Sequence, residues 1–265
     1  MRTEQLEPET EALLLRLVPD LPSQWEGASP EEIARMEALA GRPLPRFYRW
    51  FLSRMGRAMG PLAYPTLDFS VGKILSCYEQ GLLSPSRRFL LIGHESDERT
   101  PFHLFYDFDY AVRDDARVVN FDLERSSLYR NKRRRYALGG PLYIGFDTFR
   151  EMLAWGEFFT SRIEKLPQQC SGLFRGSADI TRHLDSIMAN LRFTKPIPTG
   201  TCCALYDRPD AAMKVRATPR EPPSERHFFA LGAQDPGVLQ RILGEIASGS
   251  SIEVEVRSWG PSAVG

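Results

Sequence analysis

Residues 25–56, WEGASPEEIARMEALAGRPLPRFYRWFLSRMG, read as two short helices joined by a Gly-x-Pro-Leu-Pro elbow. Ser29 is placed as an N-cap, Pro30 suits the first helical position, and Glu32 stands at N3 to complete a capping box. Ile33, Met36, Leu39 and Ala40 recur at helical spacing, and Gly41 follows where a left-handed residue ends a helix cheaply. Pro43 and Pro45 force an extended elbow around Leu44, because a residue before proline avoids the α region. A second helix then starts near Pro45, carries Phe47, Tyr48, Phe51, Leu52 and Met55 on one face, and ends at Gly56. Such a face is built to be buried. The stretch has no thiol and no histidine, so it reads as scaffold and not as chemistry.

Around this hairpin the text changes period. Residues 67–71, 88–96, 101–109 and 117–124 read as strands, the middle two as a hairpin across Asp97 to Thr100. The segment LYIGFDTFREML, residues 142–153, reads as a short strand followed by a helix with Asp147 as its N-cap. Residues 8–18 form a short N-terminal helix in this reading. Residues 166–177, with Pro167, Gly172 and Gly176, are expected to be a linker. Beyond it lie a helix from Ile180, a hairpin around residues 207–210, and a closing strand-helix-strand run in which Asp235 and Pro236 start the helix. The expected fold is α+β: an antiparallel sheet packed by helices in residues 1–165, and a second small α+β region in residues 178–265.

Composition narrows the function. Lys+Arg and Asp+Glu both number 34, so the net charge is zero and a dedicated nucleic-acid binder, which needs a basic excess, is not expected. The first 20 residues lack the basic, apolar and small-residue blocks of a signal peptide. No segment has the roughly 20 apolar residues of a membrane span. Cys77, Cys170, Cys202 and Cys203 show no C-x-x-C spacing and read as reduced thiols of a cytoplasmic protein. Sequence motifs of hydrolases, zinc proteases and phosphate-binding loops are absent, and no cofactor or metal is expected.

The first half resembles the SUKH superfamily, the Smi/Knr-like domain, over about residues 20–160. The resemblance is carried by Trp25, Gly27, Ser29, Glu31, Glu32, Ile33, Glu37, Gly41, the Leu44-Pro45 elbow, Tyr48, Phe51-Leu52 and Gly56, with LYIGFDTFREML as the terminal strand-then-helix element. It implies an antiparallel sheet packed by helices. It also implies a non-enzymatic immunity protein of a bacterial toxin system, one that neutralises a cognate toxin by stoichiometric binding. The last quarter of the chain lies outside the resemblance.

Two places compete for the function. The stretch 95–124 is acidic, and Glu95, Asp97, Glu98, Asp107, Asp109, Asp114 and Asp115 are the expected contacts to a basic protein partner, since charge complementarity raises association rate and specificity. The same residues also read as an ordinary solvated face beside the basic run at 132–135. Alternatively, His94 and His103 fall on neighbouring strands and could meet as a catalytic or metal pair. A regulatory scaffold binding some other protein is the remaining reading.

Overall fold

The computed structural model describes residues 6–62, 64, 66–97, 102–122, 143–176, 180–217 and 224–260. In chain order the elements are α1 (Leu6–Leu17), β1 (Trp25–Glu26), α2 (Pro30–Ala40), α3 (Arg46–Met55), β2 (Ala58–Met59), β3 (Leu67–Asp68), α4 (Val71–Glu79), β4 (Phe89–Glu95), β5 (Phe102–Val112), β6 (Asp115–Asp122), β7 (Tyr143–Phe146), α5 (Phe149–Phe158), β8 (Gln168–Arg175), α6 (Ile180–Asn190), β9 (Cys203–Arg208), β10 (Ala211–Arg216), β11 (Arg226–Ala233), α7 (Pro236–Ser248) and β12 (Glu253–Gly260). The fold is α+β, with every paired strand antiparallel among the described residues.

The chain divides into two units: residues 19–152 with the first eight, and residues 153–265 with 9–18. In the first unit the sheet order is β3-β4-β5-β6-β7, and β1 and β2 form a small separate ribbon. The helical hairpin forms as its local signals dictate. Ser29 and Glu32 exchange the two bonds of a capping box, and Gly41 ends α2 at φ 63°, a conformation that favours glycine. Phe47, Tyr48, Phe51, Leu52 and Met55 are all buried. Their aromatic face converges on Phe149, whose ring lies 4.9 Å from Phe51, 5.6 Å from Tyr48 and 5.9 Å from Tyr106. Edge-to-face packing of this kind adds to the burial of the rings themselves.

The second unit has a sheet of order β12-β8-β11-β10-β9. One face packs on α6 and α7 through Phe174, Met213, Val215, Phe229, Leu239 and Ile246. On its other side Leu205 and Ala212 join Leu13, Phe158, Ile163 and Leu166 in a second cluster. Here the structure corrects the expected linker. Residues 168–175 are strand β8, which lies between β11 and β12 and buries Cys170, Leu173 and Phe174. Gly172 is there for close approach and not for a turn: a Cβ on it would lie 2.0 Å from the Glu255 carbonyl oxygen. The change of unit accordingly falls after Met152, inside α5, and not at residue 165.

Candidate partner-binding surface

The seven acidic residues expected to form one surface take separate places. Asp107 is buried, and its two oxygens accept from Arg88 Nε and a terminal nitrogen, both at 2.8 Å. Asp115 is buried too. It accepts from the Tyr106 hydroxyl at 2.7 Å, the Ala116 amide at 2.8 Å and the Arg150 amide at 2.9 Å. Burial pushes its carboxyl up to about 6, and the three donors pull against that rise. Both side chains therefore serve the interior and are not contacts for a partner. Glu95 accepts from the Thr66 hydroxyl and the Asp97 amide at the far end of β4. Asp107 stands opposite Phe89 at the near end of β4, so roughly 20 Å of strand separates the two groups. Glu98 lies outside the described residues, as does the basic run at 132–135.

What remains together is the end of the β5–β6 hairpin, with Asp109 and Asp114 exposed. Between Asp107 and Ala111 the register with β6 breaks, because Arg117 and Ala116 are adjacent on the partner strand. Phe108, Asp109 and Tyr110 therefore have no partner in register on β6. Such a bulge bends the strand and re-aims its side chains. Phe108 packs inward on Tyr106, with ring centroids 5.8 Å apart, whereas Tyr110 is 47% exposed and Val112 37% exposed. The Arg117 guanidinium lies 4.2 Å above the Tyr110 ring and Arg88 lies 6.0 Å from it. Asp147 holds Arg117 at 3.3 Å; Asp107 and Asp109 hold Arg88. The result is an exposed aromatic ring framed by two ion-paired arginines. Tyr and Arg are the residue types that dominate interface energetics. Sequence reasoning picked the acids of this hairpin and missed Tyr110, whose exposure follows from the register break and carries no local signal.

His94 and His103 do meet, with ring centroids 4.6 Å apart. The Glu95 amide donates to His103 Nδ1 at 3.0 Å, which leaves the proton of the neutral ring on Nε2. Burial, and then His94, push His103 down to about 4; burial, and then Lys73, lower His94. Two neutral, packed imidazoles make poor acid–base groups at pH 7. Among the described residues no three His, Cys, Asp or Glu side chains are grouped to share a metal ion.

The second unit holds one buried amine that the sequence did not announce. Lys214 on β10 is 5% exposed, and its Nζ lies 3.3 Å from the Trp155 ring centre and 3.6 Å from that of Phe159. Burial pushes the amine down to about 6. The two rings attract the ammonium form, each by about 2 kcal/mol or more where the contact is desolvated, and so pull against that fall. All four cysteines are free thiols.

No family model matches the sequence, and no curated protein matches it. Among the described residues no helix is long and apolar enough to cross a membrane.

Proposed function

We propose that the chain works by binding a protein partner through the end of the β5–β6 hairpin, without turnover, as an immunity protein that occupies and blocks a cognate toxin. The observation that carries this reading is Tyr110: a large, exposed ring held between Arg88 and Arg117 on a bulged strand whose neighbours are fixed to the core. A pre-set aromatic anchor loses little freedom on binding, which is where affinity is gained. The toxin as partner rests on the SUKH resemblance of residues 20–160. Asp109 is paired with Arg88 at 3.1 Å and Asp114 follows Arg113 in the turn, so the partner is selected by the pattern of charges around a pocket for Tyr110, and not by bulk acidity.

The test is protection. Expression of the chain in cells poisoned by the toxin encoded beside its gene restores growth, and the purified pair forms a one-to-one complex. Tyr110→Ala abolishes both while lowering stability by no more than about 1 kcal/mol. Protection that survives Tyr110→Ala together with Arg117→Ala removes the hairpin from the reading. A toxin neighbour with no protection removes the immunity role.

A further inference from the structure

The outer side of the helical hairpin carries a groove of about 500 Å³, distinct from the β5–β6 surface and lined only by α2, α3 and the residues leading into α2. Its construction is regular. One bank is Pro30, Ile33, Ala34 and Glu37 on α2; the other is Arg46, Arg49, Trp50 and Ser53 on α3. Both sets follow the i, i+3, i+4, i+7 spacing that defines a single helix face. Two such stripes side by side make a channel about 10 Å long, the shape into which a third helix packs.

The two ends of the channel differ in chemistry. Around Ala28, Pro30, Ile33 and Trp50 the lining is apolar, with Ile33 and Trp50 half-buried and Ala34 exposed. At the other end stand two guanidiniums, and α3 bears Arg46, Arg49 and Arg54 with no carboxylate of its own. The acid that lines the channel, Glu37, is engaged by Arg49 and by the Leu44 amide at 3.2 Å. Glu7 holds Arg46 from outside the channel, at 2.7 Å. Neither pairing consumes a guanidinium, which has five N–H donors. Arg46 and Arg49 keep 67% and 51% of their side-chain surface in solvent.

We propose that this groove is a docking site for an acidic amphipathic helix of a partner protein, seated with an apolar residue between Ile33 and Trp50 and a carboxylate about one turn away on Arg46 and Arg49. An apolar floor alone would accept any greasy segment. The arginine end fixes the sign of the partner's charge and the direction in which its helix lies. This contact does not depend on the toxin reading, because its lining residues are not those of the β5–β6 surface and it is tested with a defined probe. Its arginine end does adjoin that turn, where the Asp114 carbonyl accepts from the Phe47 amide at 2.9 Å.

The probe is a fluorescein-labelled, side-chain-stapled helix of about 14 residues with a leucine stripe flanked by glutamates, compared with a twin carrying lysine for every glutamate. Binding to the full chain is followed by anisotropy. The acidic helix is expected to bind at least about tenfold more tightly than its twin. Ala34→Glu, at an exposed helical position, is expected to weaken it by about tenfold or more with the melting temperature unchanged. Equal binding of the twins, no saturable binding of the acidic helix up to about 1 mM, or indifference to Ala34→Glu would overturn the proposal. Sedimentation covers the remaining occupant: a dimer that Ala34→Glu dissociates means the groove holds a second copy, and this too overturns it.

Discussion

The Asp115 carboxylate accepts the Arg150 amide at 2.9 Å, so a strand residue caps a helix that lies 35 residues further along the chain. The local cap is Thr148, whose hydroxyl accepts from the Glu151 amide at 3.2 Å. Asp147, the sequence-based candidate for that role, is engaged with Arg117 instead.

Asp115→Ala therefore removes a cap and leaves the buried Tyr106 hydroxyl without its acceptor. A loss of about 2–4 kcal/mol in urea unfolding is expected. Asp115→Asn tests the charge. The folded carboxyl titrates near 6 against an ordinary 3.8, so the folded state binds more protons between those values. Stability is then fullest below about 4 and falls as pH rises through 6. The margin of the wild type over the Asn variant should shrink over that window. A margin that stays constant from pH 3 to 7 would count against a carboxyl that ionises in the interior.

Tyr110→Ala separates binding from folding. The ring is half in solvent, so the unfolding free energy should fall by no more than about 1 kcal/mol, the scale of its exposed cation–π contacts. Affinity for a captured partner should fall by about 2 kcal/mol or more. Asp109→Lys with Asp114→Lys should act mainly on the association rate, and more strongly at low salt. Surface plasmon resonance reads both effects; a change in dissociation alone for the charge pair would contradict the arrangement described.

Lys214 supplies a pH dependence of opposite sense. Its folded value of about 6 lies below the ordinary 10.5, so between these the unfolded chain holds a proton the folded chain lacks. Stability is fullest above about 10.5, declines as pH falls, and levels off below about 6. The slope is at most about 1.4 kcal/mol per pH unit. Lys214→Met keeps the apolar stem among Trp155 and Phe159, and should raise stability at pH 7 and flatten this slope. Denaturant midpoints of both proteins from pH 6 to 9 decide the matter.

Gly172→Ala tests the strand that replaced the expected linker. The added methyl would meet the Glu255 carbonyl at 2.0 Å, and β12 must move to relieve it. A loss of about 2 kcal/mol or more is expected, with hydrogen exchange accelerated along β12. A linker position would tolerate the change silently.

The parts of the fold legible in the sequence are those whose signals are local. Ser29, Glu32, Gly41 and the paired prolines fix the α2–α3 hairpin within thirty residues, and Asp235 caps α7 through Val238 as its position suggests. The strand β8 was hidden because Gly172 and Gly176 look like turn residues when the close approach of β12 is not in view. Tyr110 was hidden for a related reason: its exposure follows from a register break between β5 and β6, which no stretch of one strand encodes. Lys214 alternates with Met213 and Val215 and so reads as a solvent-side residue. It is buried because the second sheet is covered on both faces, a tertiary fact. The candidate acids were found by charge density alone, which cannot tell Asp109, in solvent, from Asp107 and Asp115, inside.

The break in β5 has a consequence for how this surface can change. Phe108, Asp109 and Tyr110 answer to no register partner on β6, so the ladder places no demand on what the outward-facing two of them are. The residues on either side are tied by pairing, by Arg88 and by the caps of α5. Variation at positions 109 and 110 can thus change the chemistry of this surface, and with it any partner bound there as proposed, while the sheet beneath keeps its alignment. In a lineage pursued by changing partners, recognition would drift at these two positions and the scaffold would stand still.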